Sequence, residues 1–192
     1  MNPYDSIARE FDTARAEFKE KRYLDRLIEG LPRKSRILDL GCGSGQSITH
    51  YLDASGYLVT AVDSSREMLR LARTRVPGVE FIQADIESLA LERSYDAIVA
   101  WDSLFHIKRE RHVAVFERCF AWLRTPGGFL LSLGGSAWEG TAEMLGKTFF
   151  YSGHAPETSI ALLEGVGFRV VFWEVDDPSS RGHIAVLART DA

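Results

Sequence analysis

Residues Ile37–Gln46 read ILDLGCGSGQ, with glycine at 41, 43 and 45 behind a short apolar run. Glycines this dense let a chain turn sharply and bring its main chain close to a ligand. Unpaired N–H groups at the start of a following helix, expected near Gly45, add a partial positive charge suited to a carboxylate or phosphate. Two acids stand at comparable points downstream. Asp63 ends the run YLVTAVD, and Asp85 ends VEFIQAD. A carboxylate after a second strand can accept from a ribose hydroxyl pair. One after a third strand can accept from an exocyclic amino group while Ile86 covers a flat ring. Asp63 also reads as a helix N-cap, although Ser64 is the better cap for the helix that DSSREML begins. Asp85 equally reads as a surface-loop acid.

Two ligand classes fit such a loop. One is a dinucleotide, whose pyrophosphate rests on G-x-G-x-x-G. The other is S-adenosylmethionine, which has no phosphate but ends in an amino acid. The spacing here is G-x-G-x-G, and residue 46 is Gln, which counts against the dinucleotide. A glycine loop alone is weak ground for either.

Histidines and a tyrosine supply groups that could handle a proton. WDSLFH ends in His106, just past a fourth strand, where it also reads as a helix-start residue that packs or caps. FFYSGHAP (149–156) puts Tyr151 and His154 ahead of the last crossover helix, over the crevice. Their bland alternative is a lid hydrophobe and a helix-proximal imidazole. His183 opens the final strand, facing the same mouth or solvent. His50 and His112 sit on helices and are expected at the surface.

The elements that must position these residues alternate. Strands are expected at 36–40, 57–63, 79–85, 95–101 and 127–133. Helices lie between them, marked by Ile48, Tyr51 and Leu52, then by Met68, Leu69 and Ala72. A third helix shows a stripe of Val113, Phe116, Phe120 and Leu123. Such alternation predicts an α/β fold with a doubly wound, mostly parallel sheet and right-handed crossovers. RTPGG (124–128) reads as a helix stop and turn. Residues 1–31 look helical, with Ile7, Phe11, Ala14 and Phe18 on one face and Leu24, Leu27 and Ile28 on another. Residues 134–155 read as a long connection, a length that usually marks function or unrecognised structure. A helix begins near Pro156. Strands at 167–177 and 182–190 close the sheet as a C-terminal antiparallel hairpin, bringing it to seven strands. The expectation is one domain over 1–192: a helical cap (1–31), a ligand-binding core (36–133) and a substrate-side segment with the closing hairpin (134–192).

Composition bounds the partners. The chain has 192 residues and a net charge of −4, which argues against the broad basic footprint of a nucleic-acid binder. Cys42 and Cys119 lack metal-ligand spacing and read as reduced thiols of a cytoplasmic protein, with no metal expected. The first residues lack the apolar core of a signal peptide, and no apolar stretch is long enough to cross a bilayer.

With these residues in view, the chain resembles the class I S-adenosylmethionine-dependent methyltransferases of the small, single-domain bacterial type. LDLGCGSG is similar to that family's first motif, VTAVDSSREML to its acidic-loop motif and FIQADIESL to its adenine-side motif. YDAIVAWDSLFHI is similar to the fourth-strand motif, and LRTPGGFLLS to the entry to the fifth strand. The likeness spans about residues 36–133. It implies a Rossmann-like fold and S-adenosyl-L-methionine as cofactor. It implies that Gly41, Cys42 and Gly43 meet the methionine end, that Asp63 takes the ribose, and that Ser64 and Met68 flank the adenine with Asp85 and Ile86 on its edge. Asp39 is implied near the cofactor's amino group; it also reads as a buried carboxylate tying down the glycine-loop amides. Trp101 and Asp102 are implied beside the sulfonium, where an aromatic face favours a cation; Trp101 also reads as core. His106 stands where relatives often carry His. Tyr4 and Phe11 resemble residues of a segment that folds over the cofactor. An Asn-Pro-Pro-Tyr type signature, expected of the branch that methylates nucleic-acid amino groups, is absent.

The expected function is therefore methyl transfer to a small-molecule acceptor, with His106, Tyr151 and His154 as candidate catalytic residues. Trp138, Met144 and Phe149 suggest a partly apolar acceptor pocket, though core packing explains them as well. No membrane or nucleic-acid partner is expected, and oligomeric state is left open. A nicotinamide oxidoreductase and a non-catalytic cofactor-binding module are the alternatives. The second requires residues 134–155 to fill the crevice.

Overall fold

Among the described residues nine strands form: β1 (Arg36–Leu40), β2 (Leu58–Asp63), β3 (Glu80–Gln83), β4 (Tyr95–Ala100), β5 (Leu123–Gly134), β6 (Trp138–Met144), β7 (Lys147–Gly153), β8 (Arg169–Asp177) and β9 (His183–Thr190). The computed structural model describes residues 2–15, 18–177 and 182–191. Seven strands make one sheet in the order β3-β2-β1-β4-β5-β9-β8. The first five pair in parallel, and β9 joins β5 and β8 antiparallel. The doubly wound sheet and its C-terminal hairpin thus match expectation. The winding reverses between β1 and β4, which opens a crevice at their carboxyl ends.

The strands are short apolar runs because helices cover both faces. One face carries Phe116, Phe129 and Phe168, all buried with α5 (His112–Trp122) and α6 (Pro156–Val166) above them. The other carries Tyr23, Leu24 and Leu27 of α2 (Lys21–Ile28) against Ala97, Val99 and Leu130. α3 (Ile48–Ala54) and α4 (Arg66–Arg75) flank β1 and β2. α1 (Pro3–Ala14) starts with an Asn2 cap and Pro3, and its buried residues are Ile7 and Ala8.

Several expectations change. α1 stops at Ala14, so Phe18 lies beyond it and packs on Tyr51 instead. The helical reading of residues 1, 16 and 17 lies outside the described residues. The cap of α4 is Ser65, whose hydroxyl accepts from Met68 N–H, and not Ser64. α3 begins at Ile48, three positions after Gly45. RTPGG falls inside β5 rather than in a turn outside the sheet, because Leu123 already pairs with Tyr95.

On α5 the buried residues are His112, Val115, Phe116, Cys119 and Trp122, so of the expected stripe Phe116 is buried, Val113 and Phe120 are half-buried, and Leu123 belongs to β5. His112 is only 2% exposed, contrary to its expected surface position. Its Nε2 donates to the carbonyls of Leu104 and Ile107 at 3.0 and 3.1 Å, which lets a polar ring enter the core. His50 is exposed, as expected.

The long connection is a second, two-stranded sheet of β6 and β7. Only Leu145 and Gly146 separate the two strands, both with positive φ. That is the backbone of a tight hairpin turn, made by an uncommon residue pair.

Phe129, fully buried in β5, tests the core. Phe129→Ala is expected to lower unfolding free energy by about 3–5 kcal/mol in urea titrations, with an unchanged m-value.

Candidate active site

The glycine loop is held by the neighbouring strand. Gly41 N–H and Cys42 N–H both donate to the Val62 carbonyl, at 2.8 and 3.0 Å. Gly43 N–H donates to Asp63 Oδ2 at 2.8 Å, and Ser65 N–H to Oδ1 at 2.8 Å. Gly41, Gly43 and Gly45 all have positive φ. A Cβ on Gly41 would sit 2.3 Å from Ser103 Cβ, so this position accepts no side chain. Asp39 does not tie down these amides. Its Oδ2 accepts from the Thr49 hydroxyl at 2.6 Å, while Asp63 and the Val62 carbonyl hold the loop.

The end of β4 supplies the second edge. Asp102 has φ of 49°, and its N–H donates to Ser132 Oγ at 2.7 Å. Its Oδ2 pairs with Arg15 at 2.8 Å, and Arg15 reaches Glu20 at 3.4 Å. On the adenine-side loop, Arg118 of α5 donates to the carbonyls of Ile86 and Glu87.

α1 closes the top. Asp5 accepts from Ser65 Oγ at 2.7 Å and Glu67 N–H at 3.2 Å, at the start of α4. Asp12 pairs with Arg75 at 2.8 Å and accepts from the Ser44 hydroxyl of the glycine loop. Asn2 Nδ2 donates to Ser64 Oγ at 2.8 Å.

Between these elements lies a cavity of about 520 Å³, a size suited to a small ligand. Its wall brings together Asp39, Gly41, Cys42, Gly43, Asp63 and Ser64. It also includes Met68, Asp85, Ile86, Trp101, Asp102 and His106. The hairpin contributes Phe149 and Phe150, and α1 contributes Tyr4 and Phe11. Residues 134–155 therefore border the crevice without filling it. Trp101 satisfies both readings: it is 4% exposed, packs on Tyr23 at 5.2 Å, and still reaches the wall.

Tyr151 and His154 are not in that wall. Tyr151 lies behind His106, ring centroids 4.8 Å apart, and stacks on Phe105. His154 Nε2 donates to the Arg109 carbonyl at 3.1 Å, with its ring edge-on to His112. Phe149 and Phe150, just ahead of Tyr151, both reach the wall, so strand alternation alone does not decide which residue of the β6–β7 hairpin enters it. His183 faces Asp176 at 3.5 Å, away from the cavity. Trp138 and Met144 are likewise outside it.

Arg15, Glu20 and Phe150 were not legible as site residues. Arg15 and Glu20 belong to a charged run, TARAEFKEK, whose ordinary reading is a solvated face. Only the return of the chain over the sheet brings them inside.

Burial governs the titration of these groups. It pushes Asp39 up to about 7, with the Thr49 hydrogen bond opposing and Asp63 and Glu20 adding to the rise. It also raises Asp63, against the N–H donors of Ser65 and Gly43, and raises the Tyr4 hydroxyl. It lowers His106, against the hydrogen bond to the Phe150 carbonyl and the charge of Asp102, so the ring is neutral at pH 7. Among the described residues no cluster of His, Cys, Asp or Glu could hold a metal, and no helix is long and apolar enough to cross a membrane.

Comparison with known proteins agrees with this geometry. Residues 37–128 match the family described as a methyltransferase domain. The malonyl-[acyl-carrier protein] O-methyltransferase of Enterobacter lignolyticus is 33% identical over 139 residues, covering 68% of this chain and 54% of that protein. The chain spans about half the length of the curated relatives it matches. An S-adenosylmethionine-dependent methyltransferase from Clostridium acetobutylicum superposes with a TM-score of 0.77 at 16% identity, over 100% of both chains. The Burkholderia thailandensis 1,6-didemethyltoxoflavin-N1-methyltransferase, solved with 1,6-didemethyltoxoflavin and S-adenosylhomocysteine, gives 0.75 at 23% identity, over 98% of this chain and 84% of that one. The fold and site thus define a Rossmann-like methyltransferase domain. Residues 37–128 are matched as a methyltransferase domain, and the whole chain shares the fold of S-adenosylmethionine-dependent methyltransferases. The nicotinamide alternative falls with that assignment.

Asp39 yields a pH prediction. Its pKa is raised from 3.8 in the unfolded chain to about 7 in the fold, so the native state binds the extra proton between those values. Its contribution to stability is full below 3.8 and is lost as pH rises through about 7. Urea unfolding across this range should show that decline in the wild type and a flatter dependence in Asp39→Asn.

Proposed function

We propose that the protein transfers the methyl group of S-adenosyl-L-methionine to a small-molecule acceptor. The observation that carries this reading is one cavity bordered by the bare glycine loop, Asp63 at the end of β2, Asp85 in the loop after β3, and His106. The residues fit the cofactor. A Cβ at Gly43 would meet nothing within 4 Å, so its main chain is open to a ligand. Asp63 uses one lone pair on each oxygen for Gly43 and Ser65, leaving two for a ribose hydroxyl pair.

When bound, the cofactor supplies a methyl group on a positively charged sulfur. Gly41, Cys42 and Gly43 hold its methionine end, with Asp39 toward the ammonium and Arg15 toward the carboxylate. Ser64, Met68, Asp85 and Ile86 enclose the adenine. Trp101 and Asp102 flank the sulfonium with an aromatic face and a negative charge. Tyr4, Phe11 and Phe149 exclude water from the reacting end. Alignment of acceptor, methyl and sulfur supplies most of the acceleration. His106 is the group in the wall able to take a proton from the acceptor. Tyr151 and His154 act behind it as positioning residues: Tyr151 packs against the His106 ring, and His154 anchors the Arg109 segment.

Asp63→Ala is expected to weaken S-adenosylhomocysteine at least about tenfold, or about 1.4 kcal/mol, in isothermal titration. Wild-type affinity in a folded variant would remove the ribose role. Failure of the wild type to bind the ligand would remove the whole reading.

A further inference from the structure

The reacting end of the cavity is aromatic. Tyr4, His106, Phe149 and Phe150 line it, with the Tyr4 ring 4.7 Å from Phe149 and edge-on to Phe11 at 5.4 Å. Within it, the His106 tautomer is decided by its neighbours. The Phe150 carbonyl can only accept, so Nδ1, 2.8 Å away, carries the hydrogen. In the neutral ring Nε2 is then a bare acceptor, and the Tyr4 hydroxyl donates to it across 2.8 Å. Tyr4 therefore holds the place that an acceptor O–H or N–H would take against a pre-oriented base.

Charge narrows the acceptor further. Glu20, Asp63, Asp85, Glu87 and Asp102 line the cavity, with Asp39 part-protonated near pH 7, against one guanidinium, Arg15, already engaged by Asp102 and Glu20. The charge of Asp102 is felt at His106, Tyr4 and Tyr151. A carboxylate acceptor would face like charge, with no second cation in the wall among the described residues, and would need no base. An ammonium would be drawn in. The same negative surroundings would then hold its proton, leaving no lone pair for attack. A flat neutral molecule bearing one acidic hydrogen meets neither obstacle and suits the aromatic wall.

We infer that the acceptor is an uncharged aromatic or heteroaromatic compound with a hydroxyl or ring N–H, seated among Tyr4, Phe149 and Phe150, which displaces the Tyr4 hydroxyl from His106 Nε2 and passes its proton there. This rests on the methyl-transfer reading above. As the acceptor's O–H or N–H electrons form the bond to the methyl carbon, the carbon–sulfur pair returns to sulfur. The proton moves to Nε2, so the positive charge passes from sulfonium to imidazolium and leaves to solvent.

Saturation-transfer NMR on the full chain loaded with S-adenosylhomocysteine tests the seat without turnover. Naphthol and hydroxyquinoline are compared with naphthoate and naphthylmethylamine. The hydroxyarenes should bind at least about tenfold more tightly than naphthoate, given the cost of like charges. With S-adenosylmethionine they should gain one methyl by mass spectrometry. His106→Gln should slow that uptake about a hundredfold, and the deficit should shrink as pH nears the acceptor's own pKa, where no base is needed. Preferential binding or methylation of naphthoate, or methylation of the amine, overturns the inference, as does binding of none of the four. If S-adenosylhomocysteine itself does not bind, both readings fall; if it binds and the hydroxyarenes are rejected, only this one does.

Discussion

The Val62 carbonyl accepts from two consecutive glycine-loop amides, and the next residue, Asp63, accepts from a third. This coupling of the first loop to the second strand organises the whole crevice. Parallel pairing of Leu40 with Val62 brings the two strand ends level, so the loop can fold back onto β2 at once. Positive φ at Gly41 turns the chain, and Ser103 packs where a Cβ would be. Three strand ends, β1, β2 and β4, thereby share one rigid floor. A ligand can touch main chain there because no side chain intervenes.

The walls come from elements outside that floor. α1 is tied across it by polar contacts at Asn2, Asp5, Asp12 and Arg15, each to a different part of the floor. The β6–β7 hairpin leans in from the other side through Phe149 and Phe150. His106 stands where both meet, with Tyr4 of α1 on Nε2 and the Phe150 carbonyl of the hairpin on Nδ1. Its tautomer is thus a property of the assembled walls. Asp102 has a parallel role, joining β5 through Ser132 and the N-terminal segment through Arg15. An acid-rich interior of this kind suits a cationic cofactor.

Much of this was legible from local chemistry. The seven-stranded sheet and its closing hairpin follow from alternating apolar periods, and all the cofactor-side residues proposed from the sequence reach one cavity. What escaped has particular causes. The β6–β7 hairpin hides behind Leu145-Gly146, a turn without the usual Asn-Gly or Asp-Gly signature. His112 reads as a surface residue until two carbonyls from the preceding turns are brought to its Nε2. Arg15 and Glu20 look like solvated charges until the chain returns over the sheet. Tyr151 and His154 lie outside the wall, Tyr151 behind the His106 ring and His154 on the Arg109 carbonyl, contacts that no local pattern announces.

The sequence by itself determined the floor: glycines at 41, 43 and 45 and Asp63 sit at strand ends and Asp85 in the loop two residues past β3, where backbone geometry and hydrogen-bonding capacity are local properties. Only the tertiary structure decided the walls and the reactivity of His106. Which side chain of a hairpin faces a cavity, and which carbonyl meets a ring nitrogen, depend on contacts between distant segments, such as Tyr4 and His106, 102 residues apart. Those contacts leave no periodic trace in either segment.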